Sequence, residues 1–181
     1  MNDIAKQLAR LHELEGAEFV VQLKSITAHE GFHPLPDNPC ILTMGGEKSE
    51  DYDNQLDAAR KAVACGYRVF ILPNPKGIRT ADFIFERHGI FKMYDLKTIH
   101  GKTSVLNRLM ESIDQCNHVL INMKTRYNSG RLSVDIRNFF VLNSKACEVV
   151  IFKGGQIFSI TRINALEKGF LRAFRKKYGK N

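Results

Sequence analysis

Residues 81–97 read Ala-Asp-Phe-Ile-Phe-Glu-Arg-His-Gly-Ile-Phe-Lys-Met-Tyr-Asp-Leu-Lys. Two apolar runs, Phe83 to Phe85 and Ile90 to Tyr94, flank Glu86-Arg87-His88-Gly89, whose glycine permits the positive φ that a short hairpin loop demands. The stretch therefore predicts a β-hairpin turning near His88. Side chains alternate across a strand, so Asp95 and Lys97 fall on one face. Asp82, at the start of the first strand, lies across from Met93 to Asp95 and projects beside them. Two like charges placed together are unfavourable without a cation between them, so this convergence points to a divalent-metal site with a lysine at its edge. Without the cation the carboxylates would repel, and deleting either aspartate is then expected to raise the melting temperature in metal-free buffer.

Outward from the hairpin, the chain reads as alternating helices and strands. Ser49 caps a helix with Glu50 and Asp51 in its first turn, Leu56, Ala59 and Val63 give its buried stripe, and Gly66 stops it. Tyr67 to Leu72 is a buried strand ending in the turn Pro73-Asn74-Pro75-Lys76-Gly77. After Lys97 a short loop leads to a helix from Thr103 to Cys116, with Val105, Leu106, Leu109, Met110 and Ile113 on its core face and Ser104, Arg108, Glu111 and Gln115 in a polar stripe. His118 to Met123 is the next strand. The run from Lys124 to Arg131 interleaves Lys124, Arg126 and Arg131 with Tyr127, a composition that suits a nucleic-acid backbone with a stacked base and equally suits a solvated loop. A helix follows from about Leu132, then a hairpin at Gly154-Gly155, then a helix from Asn164 to Tyr178 carrying Arg172, Arg175, Lys176 and Lys177. Toward the N-terminus, Ile4, Leu8 and Leu11 form a short amphipathic helix stopped by Gly16, Glu18 to Ile26 reads as a strand, and Ala28 to Asn38 as a loop bearing His29 and His33. Residues 1–46 are thus an extension packed on a core domain of residues 47–181.

The motif resembles the PD-(D/E)XK nuclease superfamily, with Ala81-Asp82 opening one strand and Asp95-Leu96-Lys97 closing the next. Within it the run is most similar to the C-terminal tRNA-nuclease domains of contact-dependent growth inhibition toxins, on Val69-Phe70-Ile71-Leu72-Pro73, Thr80-Ala81-Asp82-Phe83, Asp95-Leu96-Lys97-Thr98, Gly101-Lys102-Ser104 and Gln115. The similar part spans residues 47–124, and Ala81 stands where proline is common in the superfamily. The resemblance implies an α/β fold with a mixed central sheet, an αβββαβ restriction-endonuclease-like core and flanking helices. It implies that Asp82, Asp95 and the Leu96 carbonyl hold Mg²⁺ or Mn²⁺, and that Lys97 acts on the attacking water. It further implies an acid from the first core helix, for which Asp57 is the nearest match, with Asp53 and Glu50 as alternatives and an Asp57 to Lys61 pair as the plain one. Lys102, Ser104, Arg108 and Gln115 would border the substrate, together with Lys124, Arg126 and Arg131.

Composition is compatible with this reading and excludes others. The 181 residues carry a net charge of +8, which suits a polyanionic partner, RNA ahead of DNA in the resembling family, and a cognate immunity protein is a further implied partner. Cys40, Cys65, Cys116 and Cys147 are widely spaced, so neither a zinc knuckle nor a disulfide framework is expected, and a reducing, cytoplasmic setting is. No stretch approaches the roughly 18 apolar residues of a membrane span. There is no phosphate-binding Walker loop, no Gly-x-Ser-x-Gly elbow and no dinucleotide fingerprint. Two alternatives stay open: a non-catalytic nucleic-acid or interaction module on the same fold, and a metal-independent ribonuclease using His29, His33, His88 or His100.

Overall fold

The structure, a computed structural model, describes residues 2–45, 51–75, 79–101, 104–113 and 115–179. The chain divides into two compact units, Met1–Leu96 and Lys97–Asn181. The first opens with helices α1 (Asn2–Arg10) and α2 (Gly16–Thr27), linked through a 3-10 turn at Leu11–Glu13. Ile4, Leu8 and Leu11 are buried as their spacing predicts. Residues 18–26, expected as a strand, are helical instead. Leu23 and Ile26 are buried at i, i+3, and Gly16, expected to stop α1, takes φ 57° and starts α2.

Strands β1 (Phe32–Leu35) and β2 (Asn38–Met44) pair antiparallel, and β2 runs parallel to β3 (Arg68–Ile71). A parallel step needs a crossover, here helix α3 (Tyr52–Ala64), whose buried Ala58, Ala59 and Ala62 bring it close to the sheet. β3 pairs antiparallel with β4 (Phe83–Arg87), and β4 with β5 (Ile90–Ile99). The segment read as an extension therefore supplies two strands to this sheet, because Ile41 and Leu42 are buried and bridge to Val69 and Phe70.

The β4–β5 hairpin forms as predicted, with Arg87 opposite Ile90. His88 (φ 53°) and Gly89 (φ 75°) both lie in the left-handed region, the two-residue loop geometry whose twist matches that of the strands. The Gly89 amide donates to Glu86 Oε1 at 2.8 Å and closes the loop. Tyr67, Phe83, Phe85 and Tyr94 stack across the strands with centroid separations of 4.8 to 5.5 Å. α3 ends where Gly66 takes φ 86°, with Tyr67 N donating to Ala62 O at 3.1 Å and Gly66 N to Val63 O at 2.8 Å. These two bonds satisfy carbonyls that a helix end otherwise leaves open.

The second unit begins inside β5 and continues through α4 (Val105–Met110), β6 (His118–Met123), α5 (Ser129–Leu142), β7 (Glu148–Lys153), β8 (Gln156–Thr161), α6 (Arg162–Leu166) and α7 (Phe170–Tyr178). β6 and β7 are parallel with α5 as crossover, and β7–β8 is the hairpin expected at Gly154-Gly155, Gly154 having φ 55°. Val119, Ile121, Val149, Ile151, Ile136, Phe139, Phe140, Phe174 and Tyr178 belong to one buried cluster. The helix expected over residues 103–116 has regular turns only to Met110, after which tighter bonds such as Ser112 N to Leu109 O take over. The expected C-terminal helix is interrupted at Glu167, whose ψ of 147° is extended. Among the described residues no helix is long and apolar enough to cross a membrane. The overall class is α/β with mixed strand pairing.

Candidate functional site

Asp82 immediately precedes β4, and its backbone is tied on both sides. Its amide donates to Tyr94 O at 3.0 Å, and its carbonyl accepts from Leu72 N at 2.8 Å. The carboxylate is held as firmly: Oδ2 accepts from the Leu96 amide at 2.7 Å, and Oδ1 from Gln55 Nε2 at 2.9 Å. The Asp82 side chain thus takes the place of a strand carbonyl where the β4–β5 ladder ends, and it anchors α3 through a glutamine that is only 4% exposed. Hydrogen bonds to a carboxylate are stronger than neutral ones, which restricts Asp82 to one orientation.

On β5 the two-residue period puts Asp95, Lys97 and Ile99 on one face, and all three are buried, Asp95 at 2% exposure and Lys97 at 8%. Burying charges of both signs costs several kcal/mol per ion unless they are compensated, so two such residues on one strand mark a place where the fold tolerates charge. Leu96, between them, is half-buried and presents its amide to Asp82.

The donor chemistry fits a hard divalent cation. Asp82 and Asp95 offer carboxylate oxygens and Leu96 a carbonyl, the oxygen donors that such a cation takes. Among the described residues no three His, Cys, Asp or Glu groups come together as a metal-binding set. A cation held here would draw on two carboxylates and on water, the arrangement magnesium prefers because it dehydrates reluctantly.

The α3 side chain that reaches Asp82 is Gln55. Asp57 lies two residues on, about 200° around the helix, and forms an i, i+4 ion pair with Lys61 at 2.8 Å. Asp53 is exposed, and Glu50 lies outside the described residues. The α3 group at the site is thus an amide and not the acid that the resemblance implies. The available signal was a polar residue on the stripe Gln55, Ala58, Ala59, Ala62, which is the buried one, whereas Leu56 and Val63 are only partly covered.

The residues read as substrate contacts lie in the second unit, apart from Lys102, which is outside the described residues. Ser104 sits at the N-cap of α4 without a side-chain cap bond. Arg108 pairs with Glu111 at 2.7 Å, and Gln115 Nε2 donates to the Glu111 carbonyl at 2.8 Å, so the polar stripe bonds largely to itself. Lys124, Arg126 and Arg131 are exposed, with Arg131 6.0 Å from the Tyr127 ring centre. The Tyr127 hydroxyl accepts from Val105 N at 3.4 Å and donates to Asp135 Oδ2 at 3.0 Å. Burial, with the Asp135 carboxylate adding to it, raises the Tyr127 hydroxyl above the usual tyrosine pKa. Tyr127 is therefore anchored between α4 and α5. His29 accepts from Gly31 N on Nδ1, while His33, His88 and His100 are exposed at separate points of the chain.

Comparison with protein-family models and with curated proteins finds no match to this chain.

Proposed function

We propose that the chain is a metal-dependent nuclease that hydrolyses phosphodiester bonds, with RNA of the tRNA type as the preferred substrate and with the PD-(D/E)XK superfamily, in its toxin-domain branch, as the relationship. The observation that carries this reading is the fixing of the Asp82 carboxylate against the backbone of Leu96, between Asp95 and Lys97 on a strand that buries both charges. The succession α3, β3, β4, β5, α4, β6 and the surplus of positive charge support it.

Asp82, Asp95 and the Leu96 carbonyl would hold Mg²⁺ or Mn²⁺, which when bound supplies Lewis-acid polarisation of the scissile phosphate. Gln55 keeps Asp82 turned toward β5, so no reorientation is needed during turnover. Lys97 hydrogen-bonds the attacking water and offsets the negative charge that grows on the phosphate oxygens. The test is incubation of the purified protein with tRNA, total RNA and plasmid DNA in magnesium or manganese. Cleavage should occur and should stop with chelator. Lys97→Ala should lose cleavage while keeping most RNA affinity, because it removes a group acting chiefly in the transition state. Parent-level cleavage by Lys97→Ala would overturn the assignment.

A second reading is favoured by one specific observation, that both Asp82 oxygens already accept structural hydrogen bonds. On that reading the chain binds nucleic acid without cutting it, and retained RNA binding with no cleavage in either metal identifies it.

A further inference from the structure

The positive charge of the chain is unevenly divided. The second unit holds 16 of the 27 Lys and Arg but only 5 of the 19 Asp and Glu, so the whole surplus of +8 arises there and the first unit is net negative. Helix α7 concentrates it, having four cations and no acid in Phe-Leu-Arg-Ala-Phe-Arg-Lys-Lys-Tyr. Phe170, Phe174 and Tyr178 are buried at i, i+4 and i+8, which leaves Arg172, Arg175 and Lys176 exposed together on the opposite side.

This face runs on into the first turn of α5. Arg175 Nε lies 3.7 Å from where a Cβ on Gly130 would stand. The next residue, Arg131, is exposed, with its guanidinium 6.0 Å from the centre of the Tyr127 ring. Asp135, one turn further along α5, is buried and bonded to the Tyr127 hydroxyl instead of to Arg131. Among the described residues, none of Arg131, Arg172, Arg175 and Lys176 has a carboxylate within ion-pair distance.

The fold gains little from these charges. Like charges three and four residues apart on a helix repel, as Arg172 does Arg175 and Lys176. Arg172 and Arg131 stand in the first turns of their helices, where the dipole disfavours cations, and Arg175 leans on the same turn of α5. Lys177 and Lys153 differ in having internal partners: Lys177 lies over the Phe158 ring at 5.9 Å, and Lys153 donates to the Tyr178 carbonyl at 2.8 Å.

We infer that the Arg172, Arg175 and Lys176 face of α7, continued by Arg131, carries the phosphate backbone of an RNA strand. The RNA part rests on the nuclease reading. Arg172 and Lys176 are about 6 Å apart along the helix axis at 1.5 Å per residue, so the face would meet neighbouring phosphates in turn.

The experiment uses the full chain in chelator, to prevent cleavage, and measures affinity for a labelled single-stranded RNA across salt concentrations. An Arg172→Gln, Arg175→Gln double variant should bind several-fold more weakly, with the slope of log affinity against log salt shallower by at least about 0.7, one phosphate contact on a single strand. It should also melt at or above the parent's temperature, and a clear drop would assign the arginines to the fold and overturn the inference. Lys145→Gln removes an exposed cation just past the other end of α5, about 21 Å away along that helix, and should keep the parent's slope. An equal loss in Lys145→Gln would reduce the effect to net charge and overturn the face. Unchanged binding by the double variant, in a parent that binds RNA and cuts it with magnesium, would overturn the face and leave the nuclease reading standing. A parent that neither binds nor cuts RNA would overturn both, and its sedimentation with phosphatidylserine vesicles, lost in the double variant, would reassign the face to an anionic membrane.

Discussion

Replacing Asp82 with alanine tests which of two opposed effects dominates at the head of the hairpin. Relief of repulsion between Asp82 and Asp95 would stabilise the variant in metal-free buffer, but opposed like charges on neighbouring strands destabilise by only roughly 0.2 to 1 kcal/mol. Against that stand two hydrogen bonds to an ionised acceptor, from Leu96 N at 2.7 Å and from the buried Gln55 amide at 2.9 Å. Bonds to charged groups contribute roughly 1.5 to 3 kcal/mol each, and a half-buried carboxylate belongs at the low end, so together they contribute about 3 kcal/mol. The alanine variant also leaves both donors to find new acceptors. The hydrogen bonds win, and Asp82→Ala should melt below the parent in chelator, by roughly 5 to 10 °C at about 2 to 4 °C per kcal/mol for a chain of this size. Asp82→Asn keeps one acceptor oxygen but turns an amide toward a second donor, so it should fall roughly half as far. Melting curves from circular dichroism decide the matter. An Asp82→Ala midpoint equal to or above the parent's in chelator would refute the hydrogen-bond account and restore the repulsion expected from sequence.

The remaining predictions are independent of that one. Tyr178 is 2% exposed, its hydroxyl has no hydrogen-bond partner among the described residues, and burial pushes its pKa up to about 12. A pKa raised in the folded state gives stability that is complete below the unfolded value near 10 and is lost as pH climbs toward 12. The parent's melting temperature should therefore drop across that window more than that of Tyr178→Phe, which should match or exceed the parent near neutrality; parallel curves would refute this. Asn128 caps α5 by accepting the Arg131 amide on Oδ1 at 2.9 Å, so Asn128→Ala should cost about 1 kcal/mol in denaturant unfolding, and no change would refute the cap's contribution.

Local chemistry was legible wherever a feature depended on residues close in sequence. The His88-Gly89 and Gly154-Gly155 turns, and the Gly66 stop of α3, each follow from a backbone conformation that glycine adopts at little cost. Residues 18–26 misled because their apolar positions fit two periods, and only packing of Leu23 and Ile26 resolves them as helix. Strand β1 was hidden by Gly31, Pro34 and Pro36, which give residues 28–38 the composition of a loop until the pairing of β1 with β2 is known.

The same division runs through the candidate site. That Asp95 and Lys97 share a face is settled by sequence alone, because a strand's side-chain period is two. That both are buried, and that Asp82 faces Leu96 and Gln55, is settled only by the tertiary structure. Gln55 precedes Asp82 by 27 residues. It reaches the carboxylate because the parallel pairing of β2 with β3 forces the chain through a crossover helix, and close packing of Ala58, Ala59 and Ala62 turns the glutamine on that same stripe inward, where it must hydrogen-bond.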